Sequence, residues 1–192
     1  MNEYSQPSFY RFNEDSIKLI DFVLERHNTA VSILDMGTGS GIIGIELAKI
    51  LKPKSLCLLE GQKEWLEYLR KNVATFLGQN ISVEIIIETF GNWEPQKKFD
   101  LIVCNPPYFL PGHGEASTNQ LRNNARSFVI DDWSILIKKV DLTLLDSGRA
   151  YFVIKDDLRI VKIIEENTKN LSVVKIKKEG LLFLELLRLN IN

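Results

Sequence analysis

An amide, two consecutive prolines and a phenol, Asn105-Pro106-Pro107-Tyr108, close an apolar run that extends from Phe99 to Cys104. The amide can both donate and accept hydrogen bonds, and the ring beside it offers a face for stacking. That pairing suits a flat, nitrogen-bearing substrate whose amino group meets the amide. Neither proline has an N–H to give to a sheet, so the chain must leave the strand here on a stiff turn. Four residues alone also fit a plain proline turn, and the weight falls on what lies upstream.

Upstream is a glycine loop, Asp35-Met36-Gly37-Thr38-Gly39-Ser40-Gly41, between a strand-like and a helix-like run. Glycine lets the backbone turn tightly and leaves space for a ligand. Glu60 ends the next strand-like run, where an acid can accept both ribose hydroxyls of a nucleoside. Gly39 to Gly44 also matches the G-x-G-x-x-G dinucleotide pattern, so the glycines do not choose the ligand. A carboxylate at Asp35 suits a cationic ligand better than a pyrophosphate. The candidate cofactor-binding residues are therefore Asp35, Gly37, Thr38, Gly39, Gly41 and Glu60.

The elements that must hold these residues alternate. Residues 31–36, 55–60, 81–87 and 99–104 read as strands, and 42–51 and 62–77 as helices, the second closed by Gly78. A helix capped by Asn13 precedes them. Residues 127–145 read as a helix ended by Ser147-Gly148, 149–155 as a fifth strand and 156–167 as a helix. Residues 171–176 and 181–189 read as an antiparallel hairpin about a Lys177–Gly180 turn. Strand–helix alternation predicts an α/β fold with a parallel sheet covered on both faces, one closing strand running antiparallel. Aromatics at Tyr4, Phe9, Tyr10 and Phe12 predict a packed N-terminal arm. The expected organisation is an arm and helix over residues 1–30, then one domain over 31–192. The loop from about Phe109 to Asn124 is long enough to carry function.

The chain has 192 residues, 45% apolar and 26% charged, with a formal net charge of −1. Those values fit one globular domain, and the total carries no general attraction to nucleic acid. No apolar run reaches the roughly 18 residues of a membrane span, and the N-terminus lacks a secretion pattern. Cys57 and Cys104 sit in apolar strands and read as buried thiols, which implies a cytoplasmic setting. His27 and His113 are the only histidines, so no metal site is expected. A monomer is expected.

Asp-x-Gly-x-Gly-x-Gly resembles the first motif of class I methyltransferases, which bind S-adenosylmethionine. Asn-Pro-Pro-Tyr resembles the signature of those members that alkylate planar nitrogens: nucleic-acid amino groups and glutamine amides. The resemblance implies a Rossmann-like, doubly wound, mostly parallel sheet of about seven strands with a C-terminal antiparallel hairpin. It implies that Asn105 and the Pro106 carbonyl accept from the target NH₂, that Pro107 shapes the turn, and that Tyr108 stacks on the substrate. Asn105 then also borders the cofactor. Glu88, after the third strand, matches the place of an acid near the cofactor adenine, and Phe90 that of an adenine cover.

Gln6 and Tyr10-Arg11-Phe12-Asn13-Glu14-Asp15 resemble the opening of bacterial tRNA adenine-N6 methyltransferases that act on valine tRNA. Phe109 and Ala125-Arg126 resemble that family too, which implies substrate contacts at Tyr108, Phe109 and Arg126 and an RNA partner, tRNA first. Ser127-Phe128 stand where the family usually has His-Glu. Arg122, Arg126, Lys138, Lys139 and Lys97-Lys98 are candidates for a basic rim that meets phosphate. Ribosomal RNA and protein glutamine remain alternative substrates, and a non-catalytic nucleotide-binding module a remote one. The short stretch before the first strand favours RNA over a release-factor substrate.

Overall fold

The structure, a computed structural model, describes residues 4–8, 12–106 and 133–189. Its sheet is built from β1 (Ser32–Met36), β2 (Ser55–Glu60), β3 (Ser82–Ile87), β4 (Phe99–Cys104), β5 (Leu144–Lys155), β6 (Leu171–Lys178) and β7 (Leu181–Arg188). The strand order is β3-β2-β1-β4-β5-β7-β6. The first five strands pair in parallel, and β7 runs antiparallel to both β5 and β6. Two residues turn the hairpin, Glu179 at φ 53° and Gly180 at φ 76°. Consecutive positive φ values match the right-handed twist of the flanking strands, as in a type I′ turn.

The described helices are α1 (Glu14–Leu24), α2 (Ile42–Leu51), α3 (Leu66–Phe76, entered through a short 3₁₀ turn at Lys63–Trp65), α4 (Trp133–Thr143) and α5 (Leu158–Asn167). Successive strand residues point to opposite faces, and both faces are buried. Leu34, Met36, Cys57, Leu59, Ile102, Cys104 and Phe152 pack with Trp133, Leu136 and Ile160 of α4 and α5. Ile33, Leu56, Leu58, Leu101, Val103 and Val153 pack with Leu19, Ile45 and Leu69 of α1, α2 and α3. This two-sided burial is why the strands read as unbroken apolar runs. Among the described residues no helix is long and apolar enough to cross a membrane.

Three local expectations need correction. Asn13 occupies the N-cap of α1 but makes no side-chain capping bond; its amide is used elsewhere. α3 ends where Leu77 turns extended, φ −112° and ψ 137°, rather than on a left-handed Gly78. α4 stops at Thr143, and Gly148 lies inside β5 instead of closing the helix. A Cβ on Gly148 would fall 2.9 Å from Leu144 Cδ1 and 3.0 Å from the carbonyl oxygens of Leu145 and Phe99. Glycine is required there because β4 and β5 close together where their register shifts, between Phe99 and Leu101.

The strand order reverses between β1 and β4, so their connections leave in opposite directions and open a crevice beyond the carboxyl ends. The register of this pair is braced at its other end. Asp100 accepts from the backbone N–H groups of Val31 and Ser32 and from the Ser32 hydroxyl.

Candidate functional site

Parallel pairing places the glycine loop, Glu60, Glu88 and Asn105 at one edge. Met36 pairs with both Leu59 and Cys104, and Glu60 with Ile87. The next residues along each chain are Gly37, Glu60, Glu88 and Asn105, so the glycine loop, both acids and the amide leave the sheet side by side. Neighbouring strands are about 4.8 Å apart. Gly37 and Asn105 therefore stand on adjacent strands at matching heights, the juxtaposition that a two-substrate crevice needs. Pro106 is described and buried. Pro107, Tyr108, Phe109 and Arg126 lie outside the described residues.

The loop's shape is fixed by its glycines and by two acids. Gly37, Gly39 and Gly41 adopt φ 71°, 56° and 86°, values that only glycine takes without strain. The N–H groups of Gly37 and Thr38 both donate to the Leu59 carbonyl, at 2.8 and 3.0 Å. Asp35 is fully buried. Its Oδ2 accepts from Thr38 Oγ1 at 2.6 Å and from the Gly44 N–H at 2.9 Å, tying both ends of the loop together. Its Oδ1 has no hydrogen-bond partner among the described residues. Burial pushes the Asp35 carboxyl up to about 6 against the opposing pull of Thr38 and Gly44.

Glu60 is 6% exposed. Its two oxygens accept from the N–H groups of Gly39 and Gln62, each at 2.9 Å. Burial pushes its carboxyl to about 7, opposed by those N–H groups and supported by the charge on Asp35. A carboxylate offers about four acceptor positions, so two N–H groups leave capacity for hydroxyl donors. The carbonyl oxygen of the Gln62 side chain is likewise buried and without a partner among the described residues. Half-buried Glu88 donates its N–H to the Glu60 carbonyl at 2.9 Å and accepts from Asn92 Nδ2 at 3.3 Å. Phe90 lies 3.6 Å from where a Cβ on Gly37 would stand, so its ring borders the loop.

Asn105 donates through Nδ2 to Ser16 Oγ at 2.9 Å and to Asn13 Oδ1 at 3.4 Å. Neither partner was expected from sequence at this place, and neither was Asn72. Asn72 is 1% exposed; it donates to the Ser40 carbonyl at 2.7 Å and exchanges two bonds with the backbone of Ser5. The signal existed: Asn72 sits beside Leu69 and Val73 on the apolar stripe of α3, and Ser16 one turn before Ile20 on that of α1. A polar residue on a buried stripe must find a partner. The arm packs as expected where it is described. Tyr4 stacks on Phe76 with ring centroids 4.4 Å apart and donates to Glu46 at 2.8 Å.

Part of the basic rim does not form. Lys139 is buried and donates to the Trp93 carbonyl and to Glu94. Lys97 and Lys98 precede β4 and so lie at the sheet edge away from Asn105; Lys97 pairs with Glu84 at 2.7 Å. Sequence proximity to the fourth strand misled, because a strand's two ends face opposite edges. Lys138 is exposed on α4, and Arg122 lies outside the described residues.

The model of the methyltransferase small domain matches residues 14–182. A tRNA1(Val) (adenine(37)-N6)-methyltransferase from Glaesserella parasuis is 34% identical over 149 residues, 77% of this chain and 60% of that protein. A release factor glutamine methyltransferase from Leptospira interrogans is 29% identical over 160 residues, 77% of this chain and 54% of that protein. The chain thus spans little more than half the length of these curated relatives. Among solved structures, a T. thermophilus 16S rRNA N2 G1207 methyltransferase in complex with AdoMet and guanosine superposes with a TM-score of 0.69 at 16% identity. That likeness covers 95% of this chain and 45% of the other.

Proposed function

Because the chain belongs to the methyltransferase small domain family, we propose that it methylates a planar amino nitrogen from S-adenosylmethionine, with adenine N6 in tRNA as its substrate. The observation that carries the reading is the adjacency of Gly37 and Asn105 across the Met36–Cys104 register. It sets the glycine loop and the Asn105 amide on neighbouring strands at a topological switch point, which suits a methyl donor facing an amino acceptor.

The residues present fit the cofactor. The unpartnered Asp35 Oδ1 is a buried acceptor beside the loop, suited to a cationic group. Three left-handed glycines hold the loop open, and Glu60 has acceptor capacity for two ribose hydroxyls. In this reading Glu88, bonded to the Glu60 carbonyl, and Phe90, beside Gly37, border the adenine. Bound there, S-adenosylmethionine supplies an electrophilic methyl group on a good leaving group.

What remains for the protein is placement and charge. The Asn105 carbonyl oxygen and the Pro106 carbonyl accept the two N–H bonds of the target amine, which turns its lone pair out of conjugation. Tyr108 stacks on the base, a contact worth about 1–3 kcal/mol. Charge builds on the nitrogen as the bond forms, and the two acceptors stabilise it. The proton then leaves an already methylated, acidic nitrogen, so no strong base is needed. Phe109 and Arg126 flank the substrate in this reading. A base stacked within RNA must first be turned out to reach the site.

A second reading, methylation of a protein glutamine amide, is favoured by the match to the release factor enzyme and uses the same amide geometry. One experiment separates the two: incubation with methyl-labelled cofactor and, in parallel, total tRNA, ribosomal RNA and cell protein. Label in tRNA supports the first reading and label in protein the second. Label in no fraction removes both. Asn105→Ala should abolish transfer while cofactor affinity stays within a few-fold; equal loss of both would make Asn105 structural.

A further inference from the structure

We infer that Asp15 and Asn13, at the start of α1, decide which end of the Asn105 amide faces the substrate while Ser16 anchors the other end, and that all three so act as positioning residues. The inference rests on the reading above, in which the Asn105 oxygen accepts from the target amine. Asn105 Nδ2 stands 2.9 Å from Ser16 Oγ and 3.4 Å from Asn13 Oδ1, and Asn13 Nδ2 stands 2.9 Å from Asp15 Oδ2.

The polarity of this chain is set at its carboxylate end. A carboxylate accepts and does not donate, so the atom of Asn13 that faces Asp15 is its NH₂. The other end of Asn13 is then a carbonyl oxygen, and the group that meets it is the NH₂ of Asn105. The Asn105 oxygen is therefore turned away from α1. With its ends reversed, Asn105 would offer a donor to the target amine, also a donor, and the contact would be lost. Donation through Nδ2 also polarises the amide and makes its oxygen a stronger acceptor.

Two features of α1 agree with this use. Asn13 holds the N-cap position yet gives its side chain to Asp15 and Asn105 instead of to the helix. Ser16 is 5% exposed on the face that otherwise buries Leu19, Ile20, Phe22 and Val23. A hydroxyl is costly there unless it is bonded. Asn13 and Asp15 also belong to the Asn13-Glu14-Asp15 stretch, which reads in sequence as the start of a helix.

The test has a kinetic and a spectroscopic arm. With the acceptor found by labelling, Ser16→Ala should lower kcat about tenfold, the effect of one lost hydrogen bond in the transition state, at unchanged KM for S-adenosylmethionine. Ser16→Thr keeps the Oγ and should recover most of the rate. In protein carrying ¹⁵N-asparagine, the Asn105 NH₂ resonance, assigned through Asn105→Ala, should move upfield in Ser16→Ala and in Asp15→Ala and stay in place in Ser16→Thr. The spectroscopic arm needs no methyl transfer, so it reads the amide even if the methyltransferase reading fails. A resonance that stays in place in both alanine variants overturns the inference. So does a joint fall of kcat, cofactor affinity and thermal stability in Ser16→Ala, the mark of a merely structural serine.

Discussion

Replacing Glu60 by glutamine tests whether the floor of the site stores a buried charge. Both carboxylate oxygens accept backbone N–H groups, yet burial outweighs them and lifts the pKa from an ordinary 4.5 to about 7. Between those values the folded protein keeps a proton that the unfolded chain has released, so protonation favours the fold. The contribution is complete below pH 4.5 and is lost as the pH rises through about 7. At about 1.4 kcal/mol per pH unit, that interval amounts to about 3 kcal/mol. Glutamine does not titrate. Its NH₂ meets one of the two N–H donors, a pH-independent cost of about 1–3 kcal/mol. The variant should therefore be less stable than wild type at pH 4.5 and should gain about 3 kcal/mol relative to it by pH 8. Urea unfolding of ligand-free protein, followed by tryptophan fluorescence across that range, measures the difference directly. A difference that stays flat with pH would refute the buried charge. If it is confirmed, wild-type cofactor affinity should strengthen as Glu60 ionises, and Glu60→Gln should bind tens-fold more weakly at pH 8, since a charged acceptor of two hydroxyls is gone.

Gly44→Ala should destabilise by about 1–3 kcal/mol, because its Cβ would stand 2.8 Å from Leu58 Cδ2 and 3.0 Å from Asp35 Cβ; an unchanged urea midpoint would show that α2 slides off β1 freely. Asn72→Ala leaves the Ser40 carbonyl and the backbone of Ser5 without their partner. It should cost about 1–3 kcal/mol and speed proteolytic clipping before residue 12; unchanged clipping would mean that Tyr4 alone docks the arm. Tyr108→Phe should retain most substrate use and Tyr108→Ala should lose it, since stacking needs only the ring; equal loss would assign the hydroxyl a role.

The parallel core was legible because buried strands leave an unambiguous trace, and β2, β4 and α2 fall where their apolar runs begin and end. Legibility failed where one residue type serves two purposes. Ser147-Gly148 reads as a helix stop, yet Gly148 is there because two backbones come within reach of its absent Cβ. Gly78 reads as a left-handed cap, yet an extended Leu77 does the stopping. Glycine signals a demand on space or on φ, and the sequence does not say which.

The site divides along the same line. Glycines and acids at strand ends were readable because a parallel sheet delivers all carboxyl ends to one edge, which makes sequence position a spatial coordinate. Two members of the basic rim failed under that same rule: Lys97 and Lys98 are near Asn105 in sequence and a strand's length away in space. What the sequence could not reveal is the long-range pairing of small polar groups, Ser16 with Asn105 and Asn72 with Ser5 and Ser40. Each looks like an ordinary polar residue until burial makes an unbonded polar atom costly. The cost then becomes information. Because Ser16 and Asn72 must be satisfied inside, the geometry of their partners is fixed more tightly than that of any exposed group. α1 and α3 therefore hold the Asn105 amide and the glycine loop in place from outside the motifs themselves.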